Sequence, residues 1–268
     1  MTEHNVSAHS VVTLENVEGN LRVGRNARLE SHSGKITVTG NMYFEGGADV
    51  NCSLECDMLR VDHFGVVRIA GDLTVHSELD IIHSIEVSGA VNAGAITGEG
   101  KIHSDSIMAK KIRANGLMEV KTKLIAEQAV LTGEADIAGR IEVSKGLKAK
   151  SVIIRSGSSY EQPIIAETVD VGESYANINS FQTDWMGQNI SMRLIGRESR
   201  VNDMYATNVH LNAVARAGKI FGQNIQLEKG CIVDQIAYIG ELQLPDSPKD
   251  TYIHHPPEKV EKLPDPPL

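Results

Sequence analysis

GDLTVHSELDIIHSIEVSGAVNAG, residues 71–94, holds no proline and no aromatic, yet its apolar residues recur at a fixed step. Leu73, Leu79, Ile85 and Val91 stand six residues apart, and each is followed two positions later by Val75, Ile81, Val87 and Ala93. In a strand, residues i and i+2 face the same side, so each pair points together into a core. A helix does not fit, because positions i, i+2, i+6 and i+8 scatter around a 3.6-residue period. Ordinary hairpins do not fit either, since their strands run longer and are joined by recognisable two-residue turns. Short strand, corner, short strand is what remains. The stretch predicts a β-solenoid with three strands per coil and about 18 residues per coil.

The same rhythm extends in both directions. Upstream lie Leu21/Val23, Ala27/Leu29, Ile36/Val38, Met42/Phe44, Ala48/Val50 and Leu59/Val61. Downstream lie Ile107/Ala109, Ile112/Ala114, Met118/Val120, Leu124/Ala126, Ile141/Val143 and Leu147/Ala149. Residues 21–155 therefore predict roughly seven or eight coils. A single coil cannot bury its own apolar pairs, so only stacking makes it stable, and the end coils keep unpaired backbone groups and a slice of core. On this reading the polymerisation interface is Leu21, Val23 and Leu29 at one end and Leu242 and Leu244 at the other.

From about Ser156 the rhythm breaks. SGSSYEQP reads as a loop, and SYANINSFQTDWMGQNISMR carries the single tryptophan, Trp185. Pairs return with Met204/Ala206, Val209/Leu211, Ile225/Leu227, Cys231/Val233, Ile236/Tyr238 and Leu242/Leu244. Seven of the eight prolines lie beyond residue 244, where they remove ladder donors. The predicted organisation is a flexible segment over 1–20, a β-helix over 21–155, an irregular insertion over 156–200, a second short solenoid segment over 201–245 and a Pro-rich disordered tail over 246–268.

Composition narrows the function classes. Hydrophobic residues make up 41% of the 268 and aromatics only 4%, so a core must be built from Val, Ile, Leu and Ala. A net charge of −9, with no basic stripe interleaved with aromatics, argues against nucleic acid as a partner. MTEHNVSAHSVVTLEN has no basic stretch followed by an apolar run, so no signal peptide is expected. Cys52, Cys56 and Cys231 form no disulfide framework, which fits reduced thiols in a cytoplasm.

The arrangement resembles the bactofilins, polymer-forming cytoskeletal proteins of bacteria, and GKIFGQNIQLEKGCIVDQIAYIGELQL at 218–244 looks like the closing segment of longer, two-part bactofilin-like proteins. The resemblance implies an all-β, right-handed parallel β-helix. It also implies nucleotide-independent self-assembly into filaments through the solenoid ends, with the chain itself as main partner. A paralogue or an envelope-associated protein would be the further partners, and the location cytoplasmic or peripheral to the inner face of the cell membrane. Members that bind membrane often carry a short apolar or basic N-terminal peptide; MTEHNV is neither, which counts against direct membrane contact.

No catalytic, cofactor or metal site is expected. His76, His83 and His103 are the best metal candidates, but ligands in such a fold stack when they differ by about one coil, whereas these are seven and twenty apart. Cys52 and Cys56 in CSLEC lack a second ligand pair, and GAITGEGK lacks the Gly-Lys-Ser/Thr ending of a phosphate loop. Two other classes stay open beside the scaffold. One is a solenoid adaptor that does not polymerise and recruits a partner through the insertion or the tail. The other is an enzyme of the hexapeptide acyltransferase or carbonic anhydrase-like kind, against which stand Thr74, Asp80, Glu86 and Asn92 between paired apolar residues.

Overall fold

The computed structural model describes residues 2–62, 64–137, 140–143, 147–155, 158–160, 162–173, 181–185, 188–192, 198–212, 215–246 and 251–266. These contain no helix. The six-residue step is a β-solenoid, with mostly parallel strands stacked in about 12 turns about 17 residues apart.

Three flat faces run the length of the stack. On the first, Met42, Leu59, Leu79, Ile96 and Ile112 stand one above another. On the second the column is Ala48, Val67, Ile85, Ile102 and Met118. On the third it is Leu54, Leu73, Val91, Ile107 and Leu124. Every one of these side chains is buried in a single continuous core. β-Branched and aliphatic residues suit this interior because they fill a pleated surface without needing polar partners. The corners take up length differences: the register shifts between Val75 and Glu78, Val87 and Ala90, and Ser104 and Ser106, so six-residue and five-residue steps share one ladder.

The outward positions obey the same stacking. On the second face Asp49, Arg68, Glu86, His103 and Glu119 follow one another coil by coil. Arg68 lies 3.9 Å from Asp49 and 3.2 Å from Glu86, and His103 lies 2.9 Å from Glu119. Parallel in-register stacking puts like charges directly opposite wherever a column repeats, which destabilises a sheet, so alternation of sign is the arrangement that stacks. These groups are partly exposed, and each pair contributes only ~0–1 kcal/mol.

The structure departs from the sequence-based organisation at three places. Residues before Leu21 are not a free segment: Glu3–Val6, Val11–Thr13 and Asn16–Val17 form a full coil laddered onto the next. Its inward positions include the polar His4, paired with Leu21, so the coil lacks the apolar pair that marks the inner ones. Within 156–200 the solenoid continues. Tyr160, Ile164, Val169 and Val171 fill core positions, and Pro163 stands just before the strand Ile164–Glu173, its carbonyl accepting from the Leu147 N–H at 3.2 Å. The chain then leaves and returns: Ser159 pairs with Arg200 and Ile164 with Met204, so the segment from Ser199 on belongs to the same solenoid, not a second one. Between them Phe181–Trp185 and Gln188–Met192 make a separate antiparallel pair, while 174–180, 186–187 and 193–197 lie outside the described residues. Third, the tail is laddered, as described below.

Two substitutions test this architecture. Ile85, fully buried between Val67 and Ile102, should cost several kcal/mol when changed to Asp, because a carboxylate would enter the core without a partner. A Cβ on Gly116 would sit 1.8 Å from the Gly100 carbonyl oxygen and 2.7 Å from that of Glu99, both backbone atoms. Gly116→Ala should therefore cost ~1–3 kcal/mol. Denaturant midpoints read both, and a wild-type midpoint for either would contradict the stacking described.

Candidate functional site at the solenoid ends

A stack of coils has two places where its ladder stops. Among the described residues the first coil is paired on one side only: Glu3–Val6 with Asn20–Val23, Val11–Thr13 with Arg28–Glu30, and Asn16–Val17 with Lys35–Val38. Over its outer side opens a hollow of about 690 Å³ lined by Val6, Val12, Leu14 and Val17, with His4 and Asn16 at the polar margin. Leu21, Val23 and Leu29, expected at this end, lie one coil deeper at 1%, 0% and 0% exposure, beneath His4, Val6 and Val12. The residues that occupy the end are thus those of the coil the sequence reading left out. Val6, Val12, Leu14 and Val17 were the signal for it, weak because a terminal coil needs apolar residues toward one neighbour only.

Polar contacts fasten this coil. Glu3 Oε1 is 2.6 Å from Arg22 Nε, and Arg22 also reaches Glu45 at 3.6 Å and lies over the Tyr43 ring. The stronger clasp follows from an enlarged corner. Leu21 and Met42 are stacked neighbours, so this turn is longer than most, and the extra length forms a loop around Ser31–Gly34, with Gly34 at φ +81°. Its donors converge on Glu15 of the first coil. The Glu15 carboxylate accepts from the Ser31 hydroxyl at 2.9 Å, from the Ser33 hydroxyl, and from the His32 and Ser33 N–H groups at 2.7 and 3.3 Å. The Ser33 and Ser31 hydroxyls, helped by those two N–H groups, hold the Glu15 carboxyl at about 2 against an ordinary 4.5.

The other end is built differently. Leu242–Gln243 is the last strand of the second face, set on Ile225 and Gln226; Leu242 is half-buried against the core and Leu244 is exposed. The remaining two faces are covered by the tail. Tyr252–Ile253 pairs with Ile232 and Val233, and Glu258–Lys259 pairs with Ala237 and Tyr238. Tyr252, His254 and His255 donate to the carbonyls of Cys231, Val233 and Asp234 at 3.0 Å each, and Val260 donates to Tyr238 at 2.8 Å. Ile253 packs on the core, and Pro257, Val260 and Leu263 are half-buried. The expected disordered tail is therefore an extended strap. Prolines do not prevent this, because the two short ladders lie between them.

The side chains weighed for chemistry are dispersed. His76 Nε2 sits 2.7 Å from Glu55 on the third face, where Glu55 also pairs with Lys35. His83 meets the exposed Phe64 edge-on at a corner, and His103 belongs to the charge column of the second face. Among the described residues no three His, Cys, Asp or Glu side chains gather as a metal-holding group. All three cysteines are buried free thiols, and burial pushes Cys56 up to about 12 and Cys231 up to about 11. Beside the third face runs a hollow of about 710 Å³ along Thr74, Asn92, Met108, Ile125 and Glu142, which the sequence reading did not single out. Met108 and Ile125 were the available signal, apolar residues at outward positions.

No family model, no curated protein and no solved structure matches the chain. No helix among the described residues is long and apolar enough to cross a membrane.

The Glu15 clasp predicts an acid-sensitive end. A carboxyl whose folded value lies below its unfolded one stabilises the fold above the unfolded value and loses that contribution as pH falls to the folded value. Attachment of the first coil should therefore weaken from about pH 4.5 down to about pH 2. The protection of amide hydrogens across residues 3–17, taken relative to the intrinsic exchange rate at each pH, should fall over that window, and Glu15→Gln should show low protection there already at neutral pH. Equal protection in the variant would remove the clasp from the account.

Proposed function

We propose that the protein is a structural scaffold of the bactofilin kind, which joins copies of itself through the ends of its solenoid without nucleotide. The observation that carries this reading is the first coil: three strands laddered on one side only, around an apolar hollow, on a body already rigid. An edge of this sort is a template for another strand. Joining two rigid ends orders few new residues, so little conformational entropy opposes the apolar and backbone gain. The coil spacing and the resemblance of 218–244 to two-part bactofilin-like proteins support the same reading. The three free, buried cysteines suit a cytoplasmic location.

The test is sedimentation and negative-stain microscopy of the purified chain without ATP or GTP. Assemblies should grow with protein concentration and respond only weakly to salt, since the contact is mainly apolar. Val12→Lys with Leu14→Lys places like charges at the open end and should leave a folded protein whose assembly is weakened at least about tenfold. A chain that stays monomeric at every concentration, both whole and without residues 246–268, would overturn the reading and favour an adaptor that does not polymerise.

A further inference from the structure

The tail covers an edge that has the same form as the rest of the ladder. Ile232–Tyr238 carries two short strands on its outer side, and their order and direction are those of one more coil. The edge therefore accepts parallel strands. Yet the strap that fills it is a poor coil. Each of its two ladders spans two residues, against three or four in most of the uninterrupted inner ladders. Of its contacts with the body, the ion pair His255–Asp234 is long at 3.8 Å, and Lys259 lies 5.9 Å from the Tyr238 ring. Tyr252 is 62% exposed, and Ile253, Pro257, Val260 and Leu263 are only half-buried. Its outer side offers little to the next strand, because Pro256 and Pro257 have no N–H and Glu258, Lys259, Glu261 and Lys262 bring charge.

The first coil is a better fit to the same edge. Glu3–Val6 belongs to the face of Gln235–Tyr238, Val11–Thr13 to that of Leu242–Gln243, and Asn16–Val17 to that of Ile232 and Val233. It brings three strands where the strap brings two, and of its apolar side chains Val6, Val12, Leu14 and Val17 two, Val6 and Val17, are already buried on the coil beneath, whereas the strap's Ile253, Pro257, Val260 and Leu263 are only half-buried. We propose that the edge formed by Ile232–Tyr238 and Leu242–Gln243 is a second assembly surface, that its partner is the first coil of another copy of this chain, and that residues 252–263 compete for it as a displaceable cap. This rests on the self-assembly reading above and deepens it. Copies then join head to tail with all strands parallel, and each junction releases one strap.

Three forms of the protein test this: the whole chain, a chain ending at Pro245, and the whole chain with Ile253→Asp and Val260→Asp, which weakens the strap while keeping the body. The concentration at which assemblies appear should fall about tenfold or more in both altered forms. Cys231 gives a readout independent of assembly, because it is fully buried and its carbonyl accepts from Tyr252. Thiol labelling of Cys231, read in the Val12→Lys/Leu14→Lys background, should quicken about tenfold or more in both altered forms, with Cys52 and Cys56 unchanged as internal controls. Equal assembly thresholds in all three forms would overturn the cap while leaving self-assembly in place. Unchanged Cys231 labelling would show that the strap does not guard the edge, and would overturn it too. A chain ending at Pro245 that assembles equally well with Val12→Lys and Leu14→Lys would remove the first coil as the partner. Monomers in every form would sink both this proposal and the reading beneath it.

Discussion

Everything in this molecule answers to one constraint: each residue stands about 4.8 Å from its counterpart in the next coil, joined to it by the ladder. A side chain is never judged alone, only with the ones above and below it. Inside, this favours Val, Ile, Leu and Met over bulky rings, and Phe44 and Tyr160 are the aromatic residues among the largest fully buried side chains. At the corners it leaves positions such as Gly116 where the carbonyl of the preceding coil approaches too closely for a Cβ. Outside, it makes charge a property of columns, so Asp49, Arg68 and Glu86 alternate along the second face.

The ends relax that constraint. A terminal coil has one neighbour instead of two: the inward position over Leu21 carries the polar His4, and among the described residues the outer edge is unladdered. The two ends deal with this differently. One is clasped to the body by Glu15 and left open; the other is overlaid by a proline-bounded strap. The asymmetry gives the stack a direction.

The interior was legible in sequence because its signal is doubled: Leu73 needs Leu54 below and Val91 above, and all three are aliphatic. The inward pairs read from 21 to 155 are core pairs in the structure, whereas the ends escaped the same search. His4 stands over Leu21 in the first coil, and the half-buried Pro257 precedes the last short ladder of the strap, so neither segment carries the aliphatic pair that marks an inner coil. The stretch after Ser156 was obscured differently, by Tyr160 in a core usually aliphatic and by Pro163, whose missing N–H matters little just before the strand Ile164–Glu173. The end of the stack was misplaced for the same cause as the boundaries: His4, Val6 and Val12 lie over Leu21, Val23 and Leu29. Leu21, Val23 and Leu29 have the marks of core, and core is what they are.

Pairing with the coil about 17 residues earlier also sets the order in which the chain can fold. Almost every contact is of short, nearly constant sequence separation, so the body can close by zipping from either side of any nucleus, one turn after another. One step differs. Ile164 meets Met204 only after the intervening excursion, a separation of 40 residues, and closing that longer loop costs ~0.6–0.8 kcal/mol more than an ordinary turn. During synthesis the turns up to Val171 can therefore be complete while those from Ser199 onward still wait for their template, and for that interval the edge above Ile164 is the growing face of the molecule.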